Sequence, residues 1–188
     1  IRAALGLRAD ELIALFVGRL EQRKGLDLLL KAWGEMAGRP APPRLLIVGP
    51  GNAERWTALA RGLEIESRIS FLGGREDVAR FYRAADLFVF PSRAEGCPNA
   101  VLEAMASGVP VVATDVAGNR EAVGEDGRTG WLVPAGDPRA LARVVGMAAA
   151  SPDVRREVGA AARVAAEERF AIHRVGAQYL SLYEELSG

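Results

Sequence analysis

Short uninterrupted apolar runs alternate along this chain with longer stretches where apolar residues recur every three or four positions. The runs are Leu12–Val17, Leu45–Val48, Leu87–Phe90, Val111–Ala113 and Trp131–Val133, and Ile69–Leu72, broken only by Ser70, is read with them. Runs without polar alternation read as strands covered on both faces. Several stop at turn signals: Gly18, Gly49-Pro50-Gly51, Gly73-Gly74 and Pro91-Ser92. Between the first two runs, Leu26, Leu29, Leu30 and Trp33 share one helical face, which predicts a helix over Gly25–Ala37. Gly38 and the prolines that follow end it, leaving a loop over Gly38–Pro43. Further helices are predicted at Ala53–Gly62, at Val78–Ala85 with Asp77 as its cap, at Asn99–Ser107, and from Pro138 onward. Pro152–Arg169 is rich in Ala and Arg and reads as a solvated surface helix. In the last stretch Val175, Tyr179, Leu182, Tyr183 and Leu186 fall on one face. No element is assigned between Thr114 and Trp131.

Alternation of this kind predicts an α/β fold, a doubly wound parallel sheet of about six strands with helices on both faces. Ligands of such sheets bind in loops leaving the carboxyl ends of the strands. Those loops start here at Gly18, Gly49, Gly73, Pro91 and Thr114.

Composition narrows the chemistry. The 188 residues fit one domain, 1–188, long enough for a real core. With 24 basic and 24 acidic side chains the net charge is zero, which argues against a nucleic-acid partner. Cys97 is the only cysteine, so no intramolecular disulfide forms. With His173 as the only histidine, a zinc site of the usual nitrogen and sulfur kind is not available. His173 lies far from every strand-end loop and reads as a surface or interdomain side chain, and Cys97 as a small packed residue. There is no apolar stretch long enough for a membrane-spanning helix and no visible leader. A start at Ile1 points to an excised piece of something longer.

Three constellations could carry chemistry. Gly18-Arg19-Leu20-Glu21-Gln22-Arg23-Lys24-Gly25 follows a strand and opens a helix, where free N–H groups and the dipole suit an anion. Arg19 and Lys24 would hold a diphosphate by a fork and a point charge. The same residues also suit a solvated charged turn, and the P-loop spacing is absent. Gly49-Pro50-Gly51 reads as a tight strand-to-helix turn, because Glu54 stands where a third dinucleotide glycine would fall. Glu95 and Glu103 bracket Gly96–Leu102, with Glu103 about one turn into a helix among apolar neighbours. A buried carboxylate there needs a partner, and a ribose diol offers two hydroxyl protons. An exposed helix glutamate is the alternative. The N–H groups of Asn99, Ala100 and Val101 are expected to be free for a phosphate.

Taken together, Phe16-Val17-Gly18-Arg19-Leu20 with Lys24-Gly25, Ile47-Val48-Gly49, Phe71-Leu72-Gly73, Ala85-Asp86, Pro91-Ser92, Glu95-x7-Glu103-Ala104-Met105-Ala106 and Gly108-Val109-Pro110-Val111-Val112-Ala113-Thr114 resemble the C-terminal domain of family-4 (group 1) GT-B glycosyltransferases. Gly127-x2-Gly130-Trp131-Leu132-Val133-Pro134 and Asp137 match the later part of that pattern, so the resemblance covers nearly the whole chain.

The resemblance implies a Rossmann-like domain with a nucleotide-sugar donor site. Arg19 and Lys24 would bind the diphosphate and Glu103 the ribose. Glu95 would face the donor hexose, with Glu95, Arg19 and Lys24 forming the catalytic group. Amides of Asn99, Ala100 and Val101 would complete the phosphate cradle, and the Gly73–Val78 loop, with Gly73, Gly74 and Val78, would wall the base. Cys97-Pro98-Asn99 stands where many members have Phe-Gly-Leu, which changes the hexose wall. The implied reaction retains anomeric configuration, uses a UDP- or GDP-sugar, and needs neither metal nor cofactor.

The family enzyme has two domains, so the resemblance also implies a missing N-terminal acceptor domain on which the helix near 172–186 packs. The isolated chain would then bind nucleotide but transfer poorly. Its setting would be cytoplasmic, with any membrane contact at the inner face and through the missing half. Two other expectations compete: a non-catalytic nucleotide-sugar-binding module or partner subunit, and a sugar-nucleotide epimerase-like enzyme.

Overall fold

The computed structural model describes residues 1–8, 10–38, 42–124 and 126–187. Part of the loop expected at Gly38–Pro43 lies outside these. Six parallel strands form one sheet: β1 (Ile13–Val17), β2 (Arg44–Val48), β3 (Ile69–Phe71), β4 (Leu87–Phe90), β5 (Val111–Thr114) and β6 (Trp131–Val133). Their spatial order is β3-β2-β1-β4-β5-β6. The apolar runs are strands because both sides are covered: β4 and β5 are buried throughout, as are Ile13–Phe16 of β1. Edge strand β3 is only half-buried.

The helices are α1 (Leu26–Glu35), α2 (Glu54–Gly62), α3 (Val78–Ala84), α4 (Asn99–Ala106), α5 (Ala117–Val123), α6 (Pro138–Ala150), α7 (Pro152–Phe170) and α8 (Ile172–Ser187). The chain winds outward from β1 to β3, returns to β4 beside β1, and winds outward again to β6. Right-handed crossovers run in opposite directions in the two halves, which places their helices on opposite faces. Accordingly α1 packs with α2 and α6, and α4 with α3, α5 and α7. The reversal between β1 and β4 opens a crevice at their carboxyl ends.

Three expectations change. α7 is not merely solvated: Val158, Gly159, Ala162 and Ala166 are buried, and α7 lies along α4. Asp77 does not cap α3, because Arg75 and Arg80 occupy its carboxylate at 3.0 and 3.4 Å. α5 is a helix in a segment that carries no periodic apolar pattern. Elsewhere the local rules hold: Pro138 opens α6 while the Asp137 carboxylate accepts from the N–H groups of Arg139 and Ala140, both at 2.9 Å. Among the described residues no helix is long and apolar enough to cross a membrane.

Candidate functional site at the switch crevice

The loop after β1 is fixed before it reaches its charges. Leu20 donates its N–H to Pro50 O at 2.9 Å, and its carbonyl accepts from the buried Trp56 indole at 3.1 Å. A single 3-10 turn, Gln22–Lys24, follows and ends at Gly25 with φ +74°. A Cβ at Gly25 would stand 1.8 Å from Pro91 O, so only glycine lets this loop lie against the end of β4. The two loops are then joined directly. Arg93 N–H donates to Arg23 O at 2.9 Å, and the Arg93 guanidinium grips Asp27 through two bonds of 2.8 Å. Burial pushes the Asp27 carboxyl up, but the bonds and charge of Arg93 outweigh it and hold the group below its ordinary value.

This junction brings Lys24 to Glu95. Nζ lies 2.7 Å from Glu95 Oε1, and the side chains are only 16% and 6% exposed. The Ser92 hydroxyl donates to the same oxygen at 2.5 Å, and the Phe90 ring lies under Nζ with its centroid 5.3 Å away. Both carry the pair into a partly dry place, where a cation and an anion each need the other. From the far side α5 closes on the Glu95 loop: Gly118 donates to Glu95 O at 3.1 Å, and a Cβ there would meet Glu95 O and Gly96 O at 2.6 Å.

Around the pair is a cavity of about 280 Å³ lined by Gly18, Lys24, Phe90, Glu95, Cys97, Pro98, Asn99, Ala100 and Glu103 among others. Five of the ten residues singled out for the site therefore stand together: Lys24, Glu95, Asn99, Ala100 and Glu103. Arg19 does not line the cavity; it is 70% exposed and pairs with Glu21 at 2.7 Å. Gly73 and Gly74 lie next to the Gly49-Pro50 turn, with Gly49 N–H donating to Gly73 O at 2.8 Å. Val78 begins α3. The Val101 side chain is fully buried in the core.

The amides are fewer than expected. Asn99 N–H donates to Cys97 O at 3.1 Å and Val101 N–H to Pro98 O at 2.8 Å, because α4 opens with a tight turn. Ala100 N–H alone among the three has no acceptor among the described residues. Cys97 corrects another reading: it is exposed at the cavity wall, with Sγ 3.5 Å from Asn99 Oδ1.

Glu103 has a protein partner that its surroundings in sequence did not reveal. The Tyr82 hydroxyl on α3 donates to Glu103 Oε2 at 2.9 Å. Burial first, then the Glu103 charge and that hydrogen bond, push the Tyr82 phenol far above its ordinary value, so it stays protonated. Ser92 and Tyr82 were both missed. The Pro91-Ser92 turn is visible in the sequence, but no motif in the chain marks Tyr82.

A larger hollow of about 1010 Å³ lies at the opposite, amino end of the sheet. Its charged groups have partners within the fold: Arg2 pairs with Asp86 at 2.6 Å and Arg44 with Glu11 at 3.2 Å, while Arg155 donates to the carbonyls of Ala148 and Ala149. These contacts tie the sheet together, with Asp86 also accepting from Ile13 N–H at 2.8 Å.

Comparison with known proteins places the chain in a family. Residues 11–151 match the family model described as glycosyl transferases group 1. A D-inositol 3-phosphate glycosyltransferase of Streptomyces scabiei is 40% identical over 178 residues, covering 88% of this chain and 40% of that protein. One from Mycobacteroides abscessus is 45% identical over 141 residues, covering 71% of this chain and 31% of its own length. Sucrose-phosphate synthase from Thermosynechococcus elongatus superposes with a TM-score of 0.88 at 34% identity, over 98% of this chain and 48% of that one. Anabaena HepE, solved in complex with UDP and glucose, superposes at 0.89 with 26% identity, over 98% of this chain and 51% of that one. The chain thus spans about half, or less, of the length of these relatives. By sequence and by fold, it belongs to the group 1 glycosyl transferases.

Proposed function

We propose that this chain is the donor-binding half of a retaining, metal-independent glycosyltransferase that takes a sugar from UDP-sugar or GDP-sugar. One observation carries the reading: Lys24, Glu95, the free Ala100 amide and Glu103 converge on a single cavity at the switch crevice. The UDP and glucose held by HepE support it.

The parts divide as the chemistry requires. A departing nucleoside diphosphate gains negative charge as the sugar leaves. Lys24 has three N–H donors and gives one to Glu95, which leaves two for phosphate oxygens. Ala100 N–H, at the positive end of α4, adds a third donor. Arg19 sits on the same loop and reaches the diphosphate by exchanging Glu21 for it. Glu103 accepts the ribose hydroxyls, Glu95 meets the hexose, and the Gly73-Gly74 loop with Val78 walls the base. The bonded amides of Asn99 and Val101 shape the turn rather than bind. A preorganised donor of this kind stabilises the developing charge by about 2.7–4 kcal/mol.

The acceptor-binding half lies outside this chain. Ile172, Tyr179, Leu182, Tyr183 and Leu186 on α8 are exposed large apolar side chains, and the reading has them pack on that half. The chain alone then binds nucleotide and transfers poorly. Titration calorimetry with UDP, GDP and ADP tests the reading: one diphosphate binds in the micromolar-to-millimolar range, and excess EDTA leaves the affinity unchanged. Absence of binding by all three removes the donor site, and loss of binding in EDTA removes metal independence.

A further inference from the structure

We propose that Tyr82 is a positioning residue that fixes the Glu103 carboxylate for the ribose hydroxyls and ties it to the base-side loop. The proposal rests on the donor-site reading above and deepens it.

Tyr82 is 2% exposed, and its ring packs on Phe88 with centroids 5.6 Å apart. Its hydroxyl lies 2.9 Å from Glu103 Oε2 and 3.2 Å from Ala100 O. A phenol has one proton to give, and the nearer, charged oxygen takes it. The ring is therefore anchored in the core while its polar end holds one oxygen of Glu103. Oε1 has no partner among the described residues and is left for a ligand.

An unanchored glutamate loses several rotatable bonds on binding a diol. Tyr82 removes that freedom in advance, which is the ordinary route by which preorganisation raises affinity. Because the anchor is a neutral phenol and not a cation, it occupies one oxygen without pairing the carboxylate with a positive charge. Geometry adds the second half of the proposal. Tyr82 is on α3, which begins at Val78 directly after the Gly73–Asp77 loop. Its hydroxyl also touches the first turn of α4 at Ala100, whose amide is the unpaired one. One side chain thus ties the loop on the base side to both the ribose carboxylate and the phosphate-facing helix start.

Tyr82→Phe tests this with almost no change of volume, and circular dichroism melting checks that the fold is kept. Affinities of the wild type and the variant are measured for UDP and 2′,3′-dideoxy-UDP, and for the GDP pair if the chain prefers guanine. The expected result is a fall of about threefold to tenfold for the ribonucleotide, with little change for the dideoxy form. Glu103→Gln should flatten the same preference, and the double variant should add little to either single one. A purely structural role would weaken both nucleotides alike, and that outcome overturns the proposal, as does unchanged ribonucleotide affinity. If the wild type binds a diphosphate but ignores the ribose hydroxyls, the Glu103 role falls and Tyr82 with it, while the phosphate site stands. If no diphosphate binds, the donor reading itself fails.

Discussion

Glu95 and Glu103 sit on one cavity wall, yet their neighbourhoods differ. Glu95 Oε1 accepts from a cation and a hydroxyl, Lys24 at 2.7 Å and Ser92 at 2.5 Å. Glu103 accepts from a neutral phenol, and among the described residues no cation pairs with it. The first carboxylate is part of an ion pair; the second has only the phenol. In the proposed donor site this difference sorts the ligand groups by physics. A diphosphate needs positive charge, which sits beside Glu95, and a diol needs a strong acceptor, which is what an uncompensated carboxylate offers.

Charge removal at the two positions should therefore differ most in stability. Glu95→Ala strands Lys24 and Ser92 in a poorly hydrated place and should cost about 3 kcal/mol in urea denaturation. Glu103→Gln leaves Tyr82 an amide oxygen to bond and should cost less than about 1 kcal/mol. Equal costs would show that the two carboxylates are held alike.

A smaller effect sharpens how the Glu95 side is held. Asp27→Asn loosens the Arg93 clamp between the two loops, at a cost of about 1 kcal/mol. Because the folded Asp27 carboxyl lies below its ordinary 3.8, its contribution is complete above that pH and is lost as pH falls through the lower folded value. The wild type should lose its advantage over Asp27→Asn only at such acidic pH. An advantage already lost near neutral pH would show that the clamp is not the source.

Much of this was legible in the residues. Ile13–Phe16 and Leu87–Phe90 are strands because their apolar character is continuous, and that character is written in the sequence. Glu95, Glu103 and Lys24 were legible through their spacing around Gly25 and the start of α4. What escaped depends on distant contacts. α5 forms where Gly118 meets the carbonyls of Glu95 and Gly96, more than twenty residues earlier, and Asn119 is buried with its amide on Thr114. Tyr82 gains its role only when α3 and α4 pack side by side. Cys97 read as buried because small residues often are, but the turn at Pro98 leaves it on the cavity rim. Arg19 and Lys24 look equivalent on paper. The anchoring of Leu20 and the 3-10 turn separate them, turning one to solvent and one to Glu95.

In the proposed donor site Lys24 is the cation around which a diphosphate is held. Titrating UDP and GDP into the wild type and Lys24→Ala tests it most directly. The variant, still folded, should bind the preferred diphosphate about a hundredfold more weakly, a loss of about 2.7 kcal/mol. Binding that is the same with and without the Lys24 ammonium would contradict it.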